Sequence, residues 1–144
     1  MIWLLRHGDA ENGSGGDDDS RCLTTKGEQQ GRNAGRALAA LEVELDACLS
    51  SPKARAVEMA RLACEPLNTA VEVADELAGG DFDPLDVAGG RANVLLVGHE
   101  PDMSSAIARL TGANVELKKG GLVQIEDRRL LALFRPEHLE RIAG

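Results

Sequence analysis

Four side chains in this sequence have the types and settings that phosphoryl chemistry needs. Arg6 and His7 follow the apolar run IWLL at 2–5, and His99 follows NVLLV and Gly98. Arg55 lies in the first turn of a segment opened by Ser51–Pro52, just after DACLS at 46–50. A phosphoryl group spreads its charge over its oxygens. Arginine is always protonated and offers a planar fork of donors that fits two of those oxygens at once. Two arginines flanking a nucleophile would hold the group and stabilise transition-state charge. A neutral imidazole can attack phosphorus and carry the group covalently until water resolves it. One ring nitrogen must then be bare and the other pinned by an acceptor. Neighbouring arginines help by lowering the pKa of His7.

Taken singly, each residue has an ordinary explanation. A histidine after a strand is most often structural, and an arginine in a helix's first turn is most often a surface residue. The joint occurrence, with a glycine after His7 and before His99, is what points to a site. Glycine there lets the backbone turn sharply or approach a ligand closely.

The flanking segments must supply the mounts. IWLL reads as a short strand apolar on both faces, hence central in a sheet. NGSGGDDDS at 12–20 reads as a surface loop, since its three aspartates lack the alternating ligand pattern of a Ca²⁺ loop. In LTTKGEQQGRNAGRALAALEVEL, Thr25 and Glu28 have capping-box spacing. Ala34, Leu38, Leu41 and Leu45 then recur at helical intervals, as on a helix lying against a sheet. DACLS is a second strand, and Ser51–Pro52 predicts a helix start, with Ala56, Ala60 and Ala63 in one stripe. TAVEVADEL predicts a third strand ending near Glu76, and AGGDFDPLDVAGG a loop with room for a helical turn. NVLLV is a fourth strand, and Pro101 opens a helix with Met103, Ile107 and Leu110 inward. Strands at LVQIE (122–126) and RLLALF (129–134) turn at Asp127–Arg128, and PEHLERI predicts a final helix. Strands alternating with helices, then a hairpin, imply an α/β chain folded as a three-layer α/β/α sandwich with a mostly parallel mixed sheet. In such sheets ligands bind beyond the carboxyl ends of the strands, where Arg6, His7, Arg55, Glu76 and His99 would converge.

Size and composition narrow the function. The 144 residues make one ordinary domain, 1–144, able to bury roughly two-thirds of its unfolded surface without a metal or disulfide. The net charge is −8, and the aromatics are one Trp and two Phe. Both features argue against a nucleic-acid partner, because phosphate backbones are repelled and base-stacking platforms are missing. Any phosphate chemistry must come from a local cluster of positive charge. Cys22, Cys48 and Cys64 are odd in number and lack metal-ligand spacing, which suits a reducing cytoplasm. MIWLL has no basic flank and is too short for a signal peptide, and no apolar run approaches the roughly 20 residues of a membrane span.

The motifs carry a family resemblance. LLRHGDAE resembles the RHG signature of the histidine phosphatase superfamily, which includes phosphoglycerate mutases. SSPKARAVEMA resembles its serine-proline motif with a following arginine, here Arg55. LLVGHEP resembles its late Gly–His strand end, and LTTKGEQQGR the opening of its first helix. The short chain, RHGDA and an arginine just before LTTKG look most like the SixA-type phosphohistidine phosphatases. The resemblance spans residues 1 to about 110, and the order and spacing of the motifs give it its specificity.

The resemblance implies a phosphoglycerate mutase-like fold and a metal-independent phosphatase without a cofactor. It makes His7 the nucleophile, and Arg6, Arg55 and His99 the ligands of the transferring phosphoryl group. Arg21 matches an arginine near the pocket of SixA-like proteins, which makes it a further substrate-binding candidate. Glu76 matches the position of the superfamily's proton-donating glutamate, with Asp75, Asp81 and Asp83 as competitors. The implied partner is a signalling protein phosphorylated on histidine. An alkoxide leaving group needs a positioned acid, whereas an imidazole with a pKa of about 6.5 leaves easily as a neutral ring. The chain is also too short for the insertions that cover the pocket in mutase-like relatives. A phosphatase of small phosphoesters and a non-catalytic phosphoprotein-binding module are the alternatives. Cysteine-phosphatase chemistry fails on spacing, because six residues separate Cys48 from Arg55 where five are needed. The Asp-x-Asp of DFDPL follows Gly–Gly rather than an apolar strand, and no P-loop pattern is present.

Overall fold

The computed structural model describes residues 1–13 and 16–144. Six strands form one sheet in the order β3-β2-β4-β1-β5-β6. They are β1 (Ile2–Arg6), β2 (Ala47–Ser50), β3 (Val71–Val73), β4 (Val94–Gly98), β5 (Leu122–Glu126) and β6 (Arg129–Phe134). The first four pair in parallel, and β5 pairs antiparallel with both β1 and β6. Helices α1 (Thr25–Ala40), α2 (Ala54–Cys64) and α5 (Pro136–Ala143) cover one face. The short α3 (Pro84–Ala88) and α4 (Asp102–Thr111) cover the other. The three-layer sandwich with a mostly parallel sheet matches the sequence-based expectation.

Strand composition explains the layers. Alternate residues of β1 enter different cores: Ile2 and Leu4 pack with Met103, Ala106 and Ile107 of α4. Trp3 and Leu5 pack with Ala34 and Leu38 of α1 and with Met59 and Ala60 of α2. Both faces are buried, so the strand reads as a continuous apolar run. Ala56, Ala60 and Ala63 form the expected stripe on α2, and their small side chains let that helix approach the sheet. In the β5–β6 hairpin, Asp127 and Arg128 both have positive φ, 52° and 60°, as a tight two-residue turn requires.

Several element ends differ from expectation. Thr24, not Thr25, caps α1: its hydroxyl accepts from Gly27 N, and its own O–H donates to Asp9 Oδ2. Tertiary contact with Asp9 selects between two adjacent threonines that local spacing cannot tell apart. The helix stops at Ala40, so Leu41 and Leu45 lie beyond it. Leu41 is exposed, whereas Val43 and Leu45 pack against the core from the following turn. Helix α2 starts at Ala54, because Ser51 and Pro52 continue the strand exit and Lys53 takes the capping position. The third strand is only three residues long, and Asp75–Leu77 form a turn of 3-10 helix. Within 12–20, Asp18–Ser20 likewise form a 3-10 turn. The loop expected at Ser14 and Gly15 lies outside the described residues.

One glycine is dictated by packing. A Cβ on Gly27 would stand 2.0 Å from the Asp9 carbonyl oxygen. Gly27→Ala gains about 1 kcal/mol in helix propensity. The clash with backbone costs about 3 kcal/mol or more, so it wins. The variant is expected to lose about 2 kcal/mol of stability, read as a lower urea midpoint. An unchanged midpoint would mean that the contact between α1 and the segment after β1 is looser than described.

Candidate active site

Register brings distant segments together. Arg6 pairs with Gly98 across β1 and β4, so His7 and His99 leave the sheet side by side. Ser50 pairs with Val97 across β2 and β4, which sets Ser51 level with Gly98. The His7 and His99 ring centroids lie 5.1 Å apart. His7 N–H donates to Gly98 O, and Gly120 N–H donates to His7 O, both at 3.1 Å. A Cβ on Gly8 would meet Gln30 Oε1 at 2.7 Å, so glycine lets α1 close against this segment.

The His7 ring is held in a single tautomer. Its Nδ1 lies 2.7 Å from Gly8 O. A carbonyl can only accept, so Nδ1 carries the proton and Nε2 presents a lone pair. Arg55 Nε donates to that Nε2 at 3.4 Å. The rest of the Arg55 fork holds the 3-10 turn at Asp18: Nη1 donates to Asp18 O at 2.9 Å and Nη2 to Asp18 Oδ2 at 3.3 Å. Lys53 Nζ is 3.7 Å from the same carboxylate.

His99 Nε2 is 2.7 Å from Ser51 Oγ, and its Nδ1 is buried with no partner among the described residues. Arg6 extends to the opposite side, where Nη1 donates to Leu117 O at 2.9 Å and Nε is buried without a partner among the described residues. Lys119 reaches the rim and pairs with Asp9 at 3.6 Å.

Burial and positive charge keep both imidazoles neutral. The His7 pKa falls to about 4, first through desolvation and then through Arg55, Arg6 and Lys119, against an opposing hydrogen bond to Gly8. The His99 pKa falls to about 3 through desolvation, with His7, Arg55 and Lys53 adding to it. An unfolded histidine titrates near 6.5, so stability is complete above that pH. As pH falls from about 6.5 towards 4, the unfolded chain takes up protons that the native one refuses. Stability should therefore drop by about 1.4 kcal/mol per pH unit for each histidine. Urea midpoints should decline through that window, and less steeply in His7→Ala. Equal slopes in the two proteins would contradict a buried neutral His7.

The remaining predicted residues are placed differently. Arg21 donates from Nε to Glu11 O at 2.7 Å and from Nη1 to Asp18 at 3.0 Å, so it touches the cluster through Asp18. Glu76 is exposed in the turn after β3, with no side-chain bond among the described residues. Sequence reasoning did not single out Asp18, Lys53, Lys119 or the Ser51 hydroxyl as members of the site. Ser51 carried a signal, because it opens the serine-proline motif. Asp18 lay in a segment whose composition says only loop. Among the described residues no three His, Cys, Asp or Glu side chains are placed to hold a metal ion. Among the same residues no helix is long and apolar enough to cross a membrane.

Fold and site together define an α/β protein with a cationic cluster around two neutral histidines at the carboxyl end of its sheet. The chain belongs to the histidine phosphatase superfamily, branch 1, whose family model matches residues 2–88. An uncharacterized protein of Picosynechococcus sp. is 33% identical over 135 residues, covering 85% of this chain and 82% of the relative. The structure of the protein histidine phosphatase SixA complexed with tungstate superposes with a TM-score of 0.81 at 25% identity. It spans 96% of this chain and 98% of that one. A candidate phosphohistidine phosphatase SixA from Agrobacterium tumefaciens gives a TM-score of 0.85 at 23% identity, spanning 94% of this chain and 97% of that one, and so shares the fold. The architecture is the phosphoglycerate mutase-like α/β fold of the SixA group.

Proposed function

We propose that residues 1–144 form one histidine phosphatase domain that removes phosphate from phosphohistidine on a signalling protein. The observation that carries this reading is the His7 ring: Nδ1 is tied to Gly8 O, and Nε2 is unprotonated, its lone pair facing Arg55 Nε at 3.4 Å. The Nε2 lone pair attacks phosphorus as the bond to the substrate's imidazole breaks. A proton on the other nitrogen of that imidazole lets it leave as a neutral ring. Water then attacks the phosphoryl group on His7, the N–P bond breaks, and inorganic phosphate departs. Arg6, Arg55 and His99 hold the equatorial oxygens through both steps. Arg21 acts one contact removed, by anchoring Asp18. The three free cysteines support a reducing cytoplasm as the place of work.

The carboxylates favour a phosphoramidate over a phosphoester. Asp18 is held ionised by its bond to Arg21 and by nearby Arg55, and Asp9 by the Thr24 hydroxyl. Neither holds a proton to give at neutral pH, and Glu76 stands exposed. An alkoxide leaving group would need such a donor, and an imidazole does not. Phosphate release from a histidine-phosphorylated protein should therefore outpace release from a phosphoserine peptide or a small phosphoester. Faster ester hydrolysis would overturn the assignment. Because Glu76 stands exposed, Glu76→Gln is expected to leave both phosphohistidine turnover and ester turnover within about twofold. A large loss on esters would make Glu76 a proton donor and remove this ground for the phosphoramidate preference.

A further inference from the structure

We infer that Ser51 is a positioning residue: its hydroxyl fixes the tautomer of His99 so that Nδ1 carries a proton for a phosphoryl oxygen. This rests on the reading of the site as a phosphoryl cradle. Ser51 is fully buried, and its backbone N–H donates to Val97 O at 3.0 Å, which ties it to β4 beside the histidine. Its Oγ already accepts from Lys53 N–H at 3.2 Å. The second contact of Oγ is His99 Nε2 at 2.7 Å.

Two proton arrangements fit that contact. If Nε2 carried the proton, Oγ would accept twice, and its own hydrogen would need an acceptor. Among the described residues Oγ makes no third bond. A buried hydroxyl hydrogen and a buried Nδ1 lone pair would both be orphaned, each at a cost of about 1–3 kcal/mol. If the Ser51 hydroxyl donates to Nε2 instead, every polar atom of the pair is used except the Nδ1–H of His99. That leaves one unspent donor on a ring 5.1 Å from the nucleophilic ring. An anionic oxygen is stabilised by such a donor and repelled by a lone pair. The serine of the serine-proline motif thus does more than begin a helix, which starts only at Ala54.

The test is ¹⁵N–¹H correlation NMR of the His99 ring at neutral pH, combined with inorganic phosphate titration of the wild type, Ser51→Ala and Ser51→Thr. The wild type should show His99 protonated at Nδ1. Ser51→Ala should lose that single tautomer and bind phosphate about 10- to 100-fold more weakly, as loss of one hydrogen bond to a charged group predicts. Ser51→Thr, which keeps a hydroxyl, should recover both. Protonation at Nε2 in the wild type would overturn the proposal, and that measurement stands whether or not a variant folds. Folded Ser51→Ala with unchanged tautomer and phosphate affinity would overturn it too. These readouts need no turnover, so they separate failure of the tautomer from failure of the phosphohistidine reading.

Discussion

Replacing His7 by alanine is expected to abolish phosphate release from phosphohistidine, with a loss of at least about 10⁴-fold in kcat, the scale seen when an enzyme loses its nucleophile. On the proposed reading this follows because, among the described residues, no other group nearby is available to form the covalent intermediate. His99 has its Nε2 engaged by Ser51. Cys48 is buried, and its thiol is pushed well above the usual range by Cys64 and by burial. The same variant should still bind inorganic phosphate, because Arg6, Arg55 and His99 remain. Steady-state kinetics with a histidine-phosphorylated protein, paired with phosphate titration by calorimetry, checks both halves. Retained turnover would remove His7 from the chemistry. Lost phosphate binding would show that the variant collapsed the site rather than disarmed it.

Arg55→Ala should cost on the order of 3 kcal/mol in the activation barrier, about 150-fold in kcat/KM, the scale of losing one preorganised donor to developing charge. Arg55 is buried, yet its fork spans the site, with Nε on His7 and the two Nη groups on the Asp18 turn. Its removal therefore withdraws charge from the transition state and also frees the turn. Arg55→Lys keeps the charge but loses the fork, so it should recover little. Kinetics on both variants would decide the matter. Full activity in Arg55→Ala would show that the guanidinium is only a strut for Asp18. Full rescue by lysine would show that charge without geometry suffices.

Much of this site is legible in the order of residues alone, for identifiable reasons. IWLL and NVLLV are apolar on both faces because β1 and β4 are central and covered on each side. A parallel sheet delivers whatever follows such strands to one end, so His7 and His99 must converge once the strands are recognised. The motif after β2 brings Arg55 the same way. Element ends are harder. The helical periodicity runs on to Leu45 because Val43 and Leu45 find the core from a turn, and burial imitates a longer helix. Thr24 beats Thr25 through its bond to Asp9, fifteen residues away. Asp18 is invisible in the sequence because its partners, Arg21, Lys53 and Arg55, meet it only through the path of the loop. Composition can mark that loop as exposed, but it carries no signal for which aspartate meets Arg55.

The central claim is that the unprotonated Nε2 of His7 receives the phosphoryl group. Brief exposure to acetyl phosphate, an alkaline quench and peptide mapping by mass spectrometry test it most directly. The account predicts one phosphoryl group on the peptide bearing residue 7, bound through the imidazole and missing from His7→Ala. A phosphoryl group on any other residue, or rapid turnover while residue 7 stays unmodified at every quench time, would contradict it.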